Sequence, residues 1–305
     1  MENDPYRKGH PLAGYHVGPT GFFSLPPDFD NQVESRGVLW MSEPPSSRHT
    51  YVIGGDPTVG IPGWTLQNRN PDDRTTDNAT IEVIRCGKVK QIEDGKEIRI
   101  VREKDVQVAE YAAPIDPITY AGVLNAIGKL YRGNTEEEGC LINFEVGPGP
   151  GISVFPELYS RFGYTNIFQQ PYLDTPRPKR NIDYGFWSTQ QSKQLLWTKG
   201  VRHVWHGGLD FFSPWLLEEM VDANADRFVF KRRTGGPSHD DRWTGILLAL
   251  WAAHSWTMDL DNVEDTQLEK IDSKKPDFQR SLMGEREAHA QAEERWAEIL
   301  ESLGQ

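Results

Sequence analysis

Apolar and polar positions follow a period of two in the first third of the chain and a helical period afterwards. Val38, Leu39, Trp40 and Met41 form a short apolar run that predicts a strand. Tyr51, Val52 and Ile53 lead into Gly54 and Gly55 and predict the first core strand, ending at Asp56. Residues 57–77 are rich in proline, glycine and asparagine and predict a long loop. Residues 79–86 alternate with a period of two and predict the next strand. A polar turn at 87–95 precedes residues 97–111, where Ile98, Ile100, Val106 and Val108 predict one further strand closing a meander. Residues 1–37 show little periodicity and predict an irregular arm.

The period changes at Asp116. Asp before Pro117 is an N-cap followed by a first-turn proline, and Tyr120, Val123, Leu124, Ile127, Leu130 and Tyr131 fall on one helical face. Residues 140–144 predict a buried strand, followed by the side-chain-poor loop Gly147, Pro148, Gly149, Pro150, Gly151. Residues 155–162 predict a short helix, and Ile167 and Phe168 a strand. Residues 170–187 read as a hairpin or flap. Helices are predicted at 189–198 and 214–223, and a strand at 228–230. The run from Ile246 to Ala253 is apolar on all sides and predicts a buried helix. Residues 279–303 predict a charged amphipathic helix. A meander followed by β/α units resembles an RNase H-like α/β fold: a mixed sheet of antiparallel meander plus parallel strands, with helices on both faces. Ligand sites in open sheets of this kind lie beyond the carboxyl ends of strands.

Three acidic positions terminate or precede apolar runs. Asp56 ends the first core strand, Glu145 ends the strand at 140–144, and Asp240 and Asp241 open the buried helix. Oxygen ligands from such remote stretches can converge on a hard divalent ion. Plainer readings stand beside this one. Asp-Pro opens turns, and Glu145 also fits a strand's exit into solvent. One of Asp240 and Asp241 suffices to cap a helix, worth about 1 kcal/mol; the second has no structural role of its own. Trp187, Trp197 and Trp205 suit packing better than base stacking, and His239 is a loop residue with a weak claim to the site. Asp72, Asp73 and Asp77 are expected to be solvated.

Composition narrows the classes. The chain has 305 residues and a net charge of −12, which argues mildly against a nucleic-acid binder. Local basic clusters soften this, at Arg177, Lys179 and Arg180 and at Lys231, Arg232 and Arg233, because screening confines each patch to about 10 Å. No apolar stretch is long enough to span a membrane, and no secretory signal is expected. Cys86 and Cys140 read as buried free thiols in a reducing compartment. No zinc-type spacing and no Gly-x-Ser-x-Gly occur. No Gly-x-x-x-x-Gly-Lys-Ser/Thr occurs either, so an ATPase motor is not expected in this chain.

Taken in order, several pieces together resemble the nuclease domain of tailed-phage large terminase subunits, over roughly residues 38–255. They are Gly55-Asp56-Pro57, Asn78-Ala79-Thr80, Val108-Ala109-Glu110-Tyr111 before the Asp116 helix, and Ile142-Asn143-Phe144-Glu145 before a glycine loop. Tyr164-Thr165-Asn166, Tyr184 to Thr189 and His239-Asp240-Asp241 complete the set. The resemblance implies a metal-dependent endonuclease that cuts concatemeric viral DNA during genome packaging with two Mg²⁺ or Mn²⁺ ions. It implies Asp56, Glu145 and Asp241 as catalytic and, with Asp240, as metal ligands; helix register favours Asp241 over Asp240. Lys179, Arg180, Lys193 and Arg242 become candidate contacts to double-stranded DNA. An ATPase motor chain, a small terminase subunit and a portal protein become candidate partners, and the host cell cytoplasm the place of action, outside the virion. On this reading 1–37 is an arm, 38–255 the nuclease domain, and 256–305 an acidic linker with a terminal helix. A junction resolvase or integrase-like nuclease on the same fold, or a non-catalytic packaging module, are the alternatives.

Overall fold

The computed structural model describes residues 13–18, 21–24, 37–64, 77–94, 97–147, 149–170, 184–224, 229–230 and 240–255. The hairpin or flap expected at 170–187 is described only at its two ends, and Lys179, Arg180, His239 and the helix expected at 279–303 lie outside the described residues. All described residues except His254 and Ser255 belong to one unit, Leu12–Ala253.

The meander forms as its alternation requires. β3 (Val38–Met41), β4 (Tyr51–Asp56), β5 (Ala79–Arg85) and β8 (Asp105–Ala113) lie in one sheet, and β9 (Leu141–Phe144) pairs parallel to β4. β1 (Ala13–Gly18) and β2 (Gly21–Ser24) extend it, giving the order β2-β1-β3-β8-β5-β4-β9; β10 (Leu209–Asp210) adds in parallel to β8. The sheet is thus mixed, antiparallel in the meander and parallel where the β/α units begin.

Two strand readings need correction. Residues 97–111 do not make one strand. β6 (Val89–Asp94) and β7 (Glu97–Arg102) pair with each other as a separate hairpin, and β8 begins only at Asp105. The Asp105 carboxylate explains the break: its Oδ1 accepts the Gly87 N–H at 2.7 Å, which fixes the chain between the hairpin and the sheet. The stretch at 1–37, read as irregular, carries β1 and β2. Backbone pairing, of β2 to β1 and of β1 to β3, defines them rather than an apolar period.

Helices cover both faces. α1 (Pro117–Leu130) starts at Asp116, whose side chain accepts the Ile118 and Thr119 N–H groups. Its apolar stripe (Tyr120, Val123, Leu124, Ile127) joins Ile53, Ile81, Val83 and Phe144 in the core. α5 (Asp241–Ser255) lies on the opposite face. Asn143 Nδ2 donates to the Leu248 carbonyl at 2.9 Å. Gly54 is required here, because a Cβ would strike the Gly245 carbonyl and the Ala249 N–H. α3 (Gln190–Trp205) packs over α5, with Trp197 edge-on to Trp243 at 6.2 Å and Gly200 against Leu247. Lying between sheet and helix, α5 has to be apolar on all sides. α2 (Gly151–Pro156) runs into a π-helical turn, Glu157–Arg161, and α4 is Pro214–Asp222. β11 (Ala223–Asn224) and β12 (Val229–Phe230) make a short pair.

Candidate active site

Alternation along the strands decides which side chains meet. In β9, Ile142 and Phe144 face α1, so Asn143 and Glu145 face α5. In β4, Gly55 meets the Tyr120 ring of α1, so Gly54 and Asp56 face α5. Parallel pairing sets Gly55 beside Phe144, and the Glu145 N–H donates to the Gly55 carbonyl at 3.1 Å. Asp56 and Glu145 therefore leave adjacent strand ends on one face. On the other side of β4, Asp56 is in register with Thr80. The Thr80 hydroxyl donates to the Asp241 carbonyl at 2.7 Å, and Asp241 Oδ2 accepts the Asn78 N–H at 3.0 Å. The first residue of α5 is thereby bound to the strand next to Asp56.

The electrostatics carry the mark of this convergence. Burial pushes the Asp56 carboxyl well above its ordinary range, and Glu145, Asp241 and Asp240 push it further, while Lys193 pulls it down. Burial likewise raises Asp241 to about 7; the Asn78 N–H opposes the rise, and Asp240 and Asp77 add to it. Asp240 is raised first by burial, and its own backbone N–H and Lys193 oppose that. Asp77 is exposed, as expected, yet stands close enough to act on both Asp240 and Asp241. Lys193 Nζ lies 2.9 Å from Glu145 Oε1. Among the described residues, no three of Asp56, Glu145, Asp240 and Asp241 bring oxygens within 4.8 Å of one another. The group is a neighbourhood of acids around an ammonium rather than a preformed single-ion cage.

Arg242 is not where a DNA contact would be. It is 7% exposed, with Nη1 3.1 Å from Glu219 Oε1 and Nε 3.6 Å from Glu110 Oε2, and its guanidinium sits over Trp215 at 5.8 Å. Asp241 and Arg242 are neighbours at the start of a helix, so the side chains diverge: one faces the acidic crevice and the other the space under α4. Glu219 also accepts the N–H groups of Arg242 and Trp243 at 2.8 and 3.0 Å, which caps α5 from outside its own sequence. Of the basic candidates with described positions, Lys193 pairs directly with one of these acids, whereas Arg242 only lowers the Asp241 carboxyl through space from its pocket under α4.

The residues missed in sequence are Glu82, Glu110 and Glu219. Glu82 and Glu110 are cross-strand partners, 0% and 1% exposed, on the same face as Asp56. Gln107 Nε2 donates to Glu82 at 2.7 Å. Alternating glutamates in a strand read as solvent-facing; here they face the layer beneath α5, where Arg242 offsets their charge. Trp197 is buried and Trp187 half-buried, as a packing role requires, whereas Trp205 is 51% exposed.

No family model and no curated protein matches the chain. Among solved structures the chain is similar to the large terminase nuclease from thermophilic phage G20c, at 17% identity and a TM-score of 0.41, over 73% of this chain and 90% of that one.

Proposed function

We propose that this chain is a divalent-metal-dependent endonuclease that cuts concatemeric double-stranded viral DNA during genome packaging. The observation that supports it best is the gathering of Asp56, Glu145 and Asp241 at the carboxyl ends of β4 and β9, under the start of α5. The donor set is all oxygen and anionic, which suits Mg²⁺ or Mn²⁺ over softer ions. Asp56, Glu145 and Asp241 would hold the ions, with Asp240 beside them. Bound ions supply a stronger nucleophile from water and compensate charge on the leaving oxygen. The chain's own part is to hold the carboxylates in position, against a burial that favours their neutral forms. The strand ends fix Asp56 and Glu145, and the Asn78 N–H and Thr80 hydroxyl fix Asp241. Lys193 stands at the rim, half exposed, where a phosphate would approach.

On this reading residues 38–255 are the nuclease domain, and Lys179 and Arg180 remain candidate DNA contacts. A motor chain, a small terminase subunit and a portal protein would be its partners, in the host cell cytoplasm. The test is cleavage of supercoiled plasmid in Mg²⁺ and in Mn²⁺. The wild-type chain should nick and linearise it. Asp56→Ala and Glu145→Ala should leave cutting at background with melting unchanged or improved. Either variant cutting at the wild-type rate in Mn²⁺ would overturn the assignment.

A further inference from the structure

Lys193 occupies an unusual place for a cation. It lies in the first turn of α3, where the helix dipole disfavours positive charge, and that turn contains no acidic residue. Its position is nevertheless tightly specified. Thr189 and Ser192 form a reciprocal cap, with the Thr189 N–H donating to Ser192 Oγ at 2.7 Å and the Ser192 N–H to Thr189 Oγ1 at 3.1 Å. Ser192 Oγ also donates to the Trp187 carbonyl at 2.9 Å. The preceding residue, Phe186, bridges Glu145: its N–H donates to the Phe144 carbonyl at 2.7 Å, and its carbonyl accepts the Val146 N–H at 2.8 Å. A continuous run of hydrogen bonds from β9 to α3 thus sets the ammonium 2.9 Å from Glu145 Oε1.

We propose that the Lys193 ammonium is the resident cation of the Asp56, Glu145, Asp240 and Asp241 cluster, and that a divalent ion must displace it from Glu145 to bind. The inference rests on the nuclease reading of the site. The ammonium does for the metal-free protein what the ions do for the loaded one: it offsets carboxylates that otherwise repel. Burial lowers the Lys193 pKa, but attraction from Glu145, Asp56 and Asp240 outweighs it, so the charge stays in place. Once displaced, the side chain is released at the mouth of the crevice and can meet a phosphate oxygen of the substrate. Weak binding of the ion in the absence of DNA follows, and tighter binding when DNA draws Lys193 away.

The test is calorimetric titration of Mn²⁺ into the full chain without DNA, after EDTA removal, for wild type, Lys193→Met, Lys193→Arg and Lys199→Met. Lys193→Met should bind Mn²⁺ about tenfold tighter, the scale of removing a unit charge some 5 Å from a divalent ion at near-aqueous screening. Lys193→Arg keeps the charge and should stay within about threefold of wild type. Lys199→Met removes a charge about 9 Å further along α3 and should change little. In EDTA, Lys193→Met should melt below wild type, and Mn²⁺ should raise its melting point by more. Equal or weaker Mn²⁺ binding by Lys193→Met would overturn the inference while leaving the nuclease reading intact. Wild type that binds no Mn²⁺ would overturn both.

Discussion

Asp241→Asn should stabilise the metal-free protein while destroying its response to metal. The carboxyl is 8% exposed, and burial holds it at about 7 against an ordinary 3.8. Because the folded value lies above the unfolded one, the folded chain keeps a proton that the unfolded chain releases throughout the window from 3.8 to about 7. Stability therefore falls as pH rises through that window and stays low above it. The full gap corresponds to roughly 4 kcal/mol, and relaxation around the charge brings the expected cost nearer to about 2 kcal/mol. At roughly 2–4 °C per kcal/mol for a unit of this size, the variant should melt about 4–8 °C above wild type at pH 8 in EDTA. The advantage should shrink to under about half at pH 5, where much of the ionisation cost is absent from both proteins. The amide keeps an oxygen to accept the Asn78 N–H, so the local structure survives. Saturating Mn²⁺ should raise the wild-type melting point well above that of Asp241→Asn. Thermal melts across pH, with and without Mn²⁺, read all of this. A variant no more stable than wild type at pH 8 in EDTA would refute the placement of Asp241 as a buried charge.

Arg242→Met should lower stability by about 3–5 kcal/mol, because it leaves Glu110 and Glu219 buried without their guanidinium; denaturant melts check this. A fully stable variant with weaker DNA binding would instead restore Arg242 as a surface contact. Gly54→Ala should cost several degrees of melting temperature and much of the activity, since its Cβ must push α5, and Asp241 with it, off the sheet. Wild-type cleavage by Gly54→Ala would contradict that coupling. Asp116→Ala should cost about 1 kcal/mol through loss of the α1 cap and leave metal affinity unchanged, as melts and titration would show.

The elements that alternate or repeat cleanly were legible in sequence. β3, β4, β5, α1 and β9 lie within a residue or two of where periodicity and the Asp116 cap put them. β1 and β2 were not legible, because pairing to a neighbour defines them and local pattern does not record a neighbour. The break before β8 was hidden for a similar reason: a side chain, Asp105, makes it by holding a backbone N–H eighteen positions earlier. That Asp56, Glu145 and Asp241 flank apolar runs could be read directly, and an unpaired charge is costly there. The fate of Arg242 could not. Its charge suggested solvent, and only the unread glutamates of β5, β8 and α4 reveal a buried partner set. Lys193 was visible as a cation in a helix, but its pairing with Glu145 depends on the bridge through Phe186, which no spacing encodes.

The most direct test is anomalous diffraction from crystals soaked in Mn²⁺. The expected result is manganese density bounded by Asp56, Glu145 and Asp241, with the Lys193 ammonium withdrawn from Glu145. Density at saturating Mn²⁺ elsewhere on the chain, with those three side chains unmoved and Lys193 still on Glu145, would contradict it.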